Sequence, residues 1–253
     1  PWQRVAPAPA GALAVTTEAR HLPPNLTLAL PASDPALAPY LSPTSRINST
    51  APQIVALARQ IAGDDRDGRS VARKIGEWTY QNLTWKKVES DSVGTLASRE
   101  ADCLEHSELY VALARALGLP ARVVTGAALS DGAFGAHAWV EVYLGRWVEL
   151  DPTWGLLDHV DATHLRFDGD AFPSYAMLNQ IEVEITAARR ATADFQRTPV
   201  DLVENFNESP EAAAYAFDVS LILDQALGRG AWEKLDDRQR AAAVSAVEKT
   251  ARA

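Results

Sequence analysis

Cys103 is the single cysteine among 253 residues, and it stands in Asp102-Cys103-Leu104-Glu105-His106, where a loop runs into the first turn of an apolar helix. Backbone N–H groups at a helix N-terminus carry partial positive charge that favours a thiolate, the form of cysteine that attacks carbonyl carbon. With no second cysteine there is no intramolecular disulfide to form. The residue therefore has two readings, a small buried hydrophobe or a nucleophile. A nucleophile needs a base and a group that orients the base. His137 and Asp151 offer these, in His137-Ala138-Trp139-Val140-Glu141-Val142-Tyr143-Leu144 and Trp147-Val148-Glu149-Leu150-Asp151.

Parity tests whether the two can meet, because successive side chains along a strand point to opposite faces. In both segments the odd-numbered positions are polar or aromatic and the even-numbered ones aliphatic. Both aliphatic sets face one core only if paired residue numbers sum to an even value, which demands a hairpin loop of odd length around Gly145. A three-residue loop with glycine in the left-handed position satisfies this. With Val142 opposite Val148, Asp151 falls opposite Trp139, and His137 becomes its diagonal neighbour at about 7 Å between Cβ atoms. That separation suits an imidazole reaching a carboxylate. Cys103 is then the expected nucleophile. His137 is the base that holds its proton and returns one to a leaving amine, and Asp151 is the acceptor that fixes the ring's tautomer and orientation.

These residues need elements to carry them. Residues 1–50 are rich in proline and alanine, with one alternating run, Leu26-Thr27-Leu28-Ala29-Leu30, that reads as an edge strand in an arm laid over the body. Thr50-Ala51-Pro52 supplies an N-cap and a first-turn proline for a helix with Ile54, Leu57, Ala58 and Ile61 on one side, ended by Gly63. A second helix is expected over 68–82, with Val71, Ile75 and Trp78 opposite Arg69, Arg73, Lys74 and Glu77. The third, over 103–117, is polar only at Glu105, Glu108 and Arg115 and should be central. Gly118 stops it and Pro120 prevents its return. The period then changes to two, giving strands over 121–129, 137–144 and 147–151, with Ser130-Asp131-Gly132 as the first turn. Ile181-Glu182-Val183-Glu184-Ile185 reads as a later strand, and helices are expected to start at Ser209-Pro210-Glu211 and Asp236-Asp237. Helices followed by a meander give the α+β class, with a central helix packed on an antiparallel sheet. The chain divides into an N-terminal arm (1–50), a catalytic domain (51–190) and a helical C-terminal extension (191–253).

Composition narrows the partners. An apolar fraction of 47% is ample for a packed core, and a formal charge of −9 argues against a surface that tracks phosphates. Nucleic acid is thus not an expected partner. No stretch approaches the ~20 apolar residues a membrane span needs. The sequence opens at Pro1 and not at methionine, and an exported location is the expectation drawn from this.

The runs Asp102-Cys103-Leu104-Glu105-His106 through Ala121-Arg122, His137 through Tyr143, and Trp147 through Thr153 closely resemble the transglutaminase-like superfamily, and above all its bacterial branch, which continues as Asp161-Ala162-Thr163-His164-Leu165. The resemblance covers about residues 50–190. It implies a papain-like fold, a Cys-His-Asp site on Cys103, His137 and Asp151, and acyl transfer or hydrolysis at protein or peptide amides without metal or cofactor. It also implies an upstream donor that completes an oxyanion hole with the Cys103 amide, for which Tyr80 and Trp85 stand at suitable positions. Ala101 departs from the pattern, since many relatives have glycine two residues before the cysteine.

Other uses of the same residues compete. His106, three residues after Cys103, could serve as base or, with Glu105 and His137, as a metal ligand. Cys-x-x-His without a second clustered pair argues against metal. His159, Asp161 and His164 read as a solvated loop held by local hydrogen bonds. From a different class, a binding or scaffolding module that retains the fold is the alternative to an enzyme, and an intact Cys103, His137 and Asp151 speaks against it.

Overall fold

Asp67, Asp91 and Asp102 each stand immediately before a helix and accept hydrogen bonds from backbone amides of its first turn, which explains where three of the helices begin. The computed structural model describes residues 3–8, 13–130 and 133–167. Apart from residues 129–135, these belong to one compact unit, and every contact described below lies within it. The expected strand at 181–185 and the C-terminal helices lie outside the described residues, as does the turn at Asp131-Gly132.

The elements run in chain order as β1 (Gln3–Pro7), β2 (Leu13–Thr17), β3 (Arg20–His21), a 3-10 turn (Pro35–Tyr40), α1 (Pro52–Ala62), α2 (Gly68–Asn82), β4 (Thr84–Trp85), α3 (Ser92–Ser98), β5 (Glu100–Ala101), α4 (Cys103–Ala116), β6 (Ala121–Ser130), β7 (Ala133–Tyr143), β8 (Trp147–Leu150), β9 (His159–Val160) and β10 (Leu165–Arg166). The main sheet has the order β10-β6-β7-β8, and the pairs β10/β6 and β7/β8 are antiparallel. The class is α+β, as expected.

One hydrophobic cluster joins Ile54 and Ala58 of α1, Val71 and Ile75 of α2, Leu109 and Leu113 of α4, and the even-numbered Val140, Val142, Val148 and Leu150 of the β7/β8 hairpin. Helix α4 is central: every residue from Leu109 to Ala114 is fully buried, each large aliphatic side chain contributing about 1.5–3 kcal/mol. The Tyr110 hydroxyl donates to the Ala72 carbonyl at 3.0 Å and ties α4 to α2. The hairpin register is the one parity requires. Val142 pairs with Val148 and Val140 with Leu150, and Gly145 turns the loop at φ 86°.

The odd-numbered face of the hairpin is buried too, and there the burial is polar. Glu149 Oε2 accepts from the Trp139 indole at 2.9 Å and from Arg20 Nη1 of β3 at 2.7 Å. Glu141 accepts from Arg122 Nε at 2.6 Å and from Arg166 of β10. The N-terminal segment thus contributes charge to the layer behind the hairpin, and the Gln3 side chain bonds both backbone groups of Arg166.

Two local expectations differ from the structure, and one short helix, α3, is additional to those expected. The run Leu26–Leu30 is not a strand. Its backbone makes one isolated bridge, Ala29 to Asp67, while Leu26, Leu28 and Leu30 pack their side chains on the core. Alternation here serves burial without a partner strand. Helix α3 has seven residues, too few for an amphipathic repeat to be visible, and its signal is the Asp91 cap. Helix α1 starts one residue later than a Thr50 cap would give, with Ala51 in the cap position and no side-chain bond.

Gly126 of β6 lies where β10 crosses. An added methyl would run into the Leu165 carbonyl and stand 2.8 Å from the Trp139 ring. Gly126→Ala is therefore expected to cost about 1–3 kcal/mol, read as a lowered urea midpoint at unchanged slope.

Candidate active site

Asp102 caps α4 by accepting from the Leu104 amide at 2.8 Å, which leaves Cys103 as the first helical residue. There its own amide lies outside the ladder of i to i−4 bonds. Cys103 is partly exposed. Ala101 before it is buried in β5 and pairs with Trp85, an extended conformation that needs no glycine.

His137 comes from β7 and Asp151 from the residue after β8. His137 Nε2 lies 2.8 Å from Asp151 Oδ2, which leaves Nδ1 on the other side of the ring. Cys103 lies near enough to this imidazole to act on its pKa. Burial alone would lower the His137 pKa. The charge and hydrogen bond of Asp151, with a smaller contribution from Cys103, outweigh it and raise the value to about 9. At neutral pH the ring is therefore an imidazolium. Asp151 is fully buried, and the two histidines that bond it hold its carboxyl well below the usual carboxylate range against the opposing effect of burial.

The two oxygens of Asp151 have separate tasks. Oδ1 accepts from the amides of Thr153 and Trp154 at 2.8 and 3.3 Å and shapes the turn, closed by paired backbone bonds between Asp151 and Leu156. Gly155 in this turn has φ 69° and lies under the Tyr80 ring. Oδ2 holds His137. The ring of His137 stacks on Trp154 at 4.2 Å and lies 6.0 Å from Trp139, so two indoles restrict its rotation.

His106 is turned back to the start of its own helix. Its Nδ1 donates to the Asp102 carbonyl at 2.7 Å, and burial lowers its pKa. Glu105 turns away towards Arg46 Nη2, 3.0 Å distant, and the Ser90 amide. Burial and the adjacent Asp102 carboxyl raise the Glu105 pKa to about 7. Glu105 and His106 are thus committed to other partners. Among the described residues the group close enough to share an ion is His137, Asp151 and His164, with donor atoms within 4.8 Å of one another. Both histidine Nε2 atoms already contact Asp151 Oδ2 across hydrogen-bond distances, so an ion there would have to replace two bridging protons.

His164 is not in a solvated loop, as its sequence context suggests, but has a wholly buried side chain. Its Nε2 lies 3.2 Å from Asp151 Oδ2 and its Nδ1 3.1 Å from Asp161 Oδ1. The available signal was the spacing Asp161-x-Thr163-His164 running into the apolar Leu165. His159 lies apart from this group, stacked on His21 at 5.7 Å. Of the two upstream aromatics, Trp85 is 69% exposed on the strand that pairs with Ala101, while Tyr80 packs on Gly155.

Residues 55–152 match the family described as the transglutaminase-like superfamily, a span that contains Cys103, His137 and Asp151. No curated protein matches the sequence. Among solved structures, a candidate cysteine protease from Cytophaga hutchinsonii is 22% identical with a TM-score of 0.47, the match covering 64% of this chain and 65% of that one. The periplasmic domain of TgpA from Pseudomonas aeruginosa is 22% identical with a TM-score of 0.39, the match covering 49% of each chain. No helix among the described residues is long and apolar enough to cross a membrane.

Proposed function

From the premise that residues 55–152 form a transglutaminase-like domain, we propose that the protein is a cysteine enzyme that transfers or hydrolyses acyl groups at protein or peptide amide bonds, with Cys103 as nucleophile, His137 as acid and base, and Asp151 as the group that orients His137. The observation that carries the reading is the 2.8 Å contact between His137 Nε2 and Asp151 Oδ2, on a ring whose pKa Cys103 also influences.

The steps follow from this geometry. The Cys103 proton rests on His137 Nδ1, and the sulfur attacks the amide carbon. The free Cys103 amide at the start of α4 faces the developing oxyanion with the positive end of the helix dipole behind it. His137 passes its proton to the nitrogen of the leaving ammonia or amine as the C–N bond breaks, which leaves a thioester. Water or a second amine then gives a proton to His137 and resolves the thioester, and the thiol is restored. Asp151 keeps the Nε2 proton in place throughout and stabilises the imidazolium between steps.

The test is intact-mass spectrometry after mixing the protein with glutamine-containing peptides, with and without an added primary amine. The expected result is a mass increase equal to the peptide less ammonia, mapped to the fragment that holds Cys103 and discharged faster when the amine is present. No adduct and no ammonia release across a varied peptide set would favour a binding module that keeps the fold.

A further inference from the structure

Both ring nitrogens of His164 face carboxylates, Asp151 on one side and Asp161 on the other. A neutral imidazole has one N–H and one lone pair, so one of these contacts would set a lone pair against a carboxylate oxygen. Protons on both nitrogens remove the conflict and make two charge-assisted bonds. Asp161 Oδ1 is already committed as an acceptor, taking the Thr163 amide at 2.7 Å and the Thr163 hydroxyl at 2.6 Å. Resting on the reading of His137 as the acid and base, we propose that His164 is a positioning residue, a standing imidazolium that grips Asp151 from behind and limits how tightly Asp151 binds the proton of His137.

The groups that face this ring are charge-balanced. Asp151 approaches from the end of β8, Asp161 from its own loop, His137 from β7 and Arg20 from β3, while His106 of α4 faces Asp151. Two carboxylates and two imidazolium rings cancel, and Arg20 is neutralised by Glu149 at 2.7 Å. Arg20 Nη2 also donates to the His164 carbonyl at 3.0 Å and reaches that of Asp161 at 3.3 Å, so the N-terminal segment pins the loop that presents the ring. Trp139 and Trp154 meet His164 edge to face at 5.2 and 5.1 Å, the same two indoles that flank His137. Burial would lower the His164 pKa, but the bonds to Asp151 and Asp161 and their charges raise it to about 9. The Asp161 carboxyl is correspondingly held down at about 2, against the effect of burial, by the bond to His164 and its charge.

The consequence is a division of one negative charge. With His164 neutral, all of the Asp151 charge would serve His137, and the proton needed by the leaving amine would be held harder. The cation 5.5 Å from the His137 ring offsets this.

The test uses imidazole nitrogen NMR of the full chain, which has five histidines, with His164 assigned by the signal lost in His164→Gln. At pH 7.5 both His164 nitrogens are expected to carry protons. In His164→Gln, which keeps a donor towards Asp151 but removes the charge, the His137 ring is expected to titrate about one unit higher, and the alkaline limb of turnover to move up with it. Should that variant fail to fold, Asp161→Asn supplies the same reading: His164 loses its second proton at lower pH and His137 shifts in the same upward direction. A singly protonated His164 at pH 7.5, or an unmoved His137 midpoint in a folded variant, overturns the proposal. The ring spectra do not depend on turnover, so a protein that forms no acyl adduct would refute the enzyme reading without deciding this one.

Discussion

Asp151→Asn is expected to lower kcat/KM for a glutamine peptide by about 10⁴-fold, the scale of losing the orienting carboxylate in such a triad. The argument is atomic. The amides of Thr153 and Trp154 demand an acceptor at the Oδ1 position, so the asparagine oxygen stays there and its NH2 group takes the place of Oδ2. A donor then confronts His137 Nε2 at 2.8 Å and His164 Nε2 at 3.2 Å. His137 relieves the clash only by moving its proton to Nδ1, which turns a donor towards Cys103 and abolishes the base. The pH profile changes as well. His137 owes its pKa of about 9 to the Asp151 charge and bond, so the alkaline limb of activity is expected to fall to lower pH, the opposite of the shift predicted for His164→Gln. Steady-state ammonia release from pH 6 to 10 measures both effects. Activity within tenfold of the parent and an unmoved alkaline limb would refute the assigned role.

The β7/β8 hairpin was legible because its constraint is arithmetic. Alternation, a glycine at position 145 and one aliphatic face admit few registers, and Val142 opposite Val148 is the one found. Helices α2 and α4 were legible through their spacing and through Gly118 and Pro120 beyond α4. What escaped was polar burial. Glu141 and Glu149 on the odd face of the hairpin are buried against Arg20, Arg122 and Arg166. Those partners come from segments 17 to 129 residues away, and no local pattern announces them. The burial of His164 has the same origin, since it is enclosed by Asp151, His137, Trp139 and Trp154 from other segments and its carbonyl is held by Arg20. Leu26–Leu30 shows the converse error, an alternating run whose apolar side chains find the core although its backbone finds no strand to pair with.

Removing the imidazolium beside Cys103 is expected to produce a large change in thiol chemistry. At neutral pH His137 carries its proton, being raised to about 9, and a cation next to sulfur favours the thiolate. His137→Gln keeps a side chain able to bond Asp151 and lacks the charge. The decisive measurement is the rate of Cys103 alkylation by iodoacetamide from pH 6 to 9 in the parent and in His137→Gln. The parent is expected to be alkylated at least about tenfold faster than His137→Gln at pH 6 and 7, with the gap narrowing towards pH 9, where His137 loses its charge. Equal alkylation rates in the parent and in His137→Gln at every pH would contradict the pairing of Cys103 with His137 on which the proposed chemistry depends.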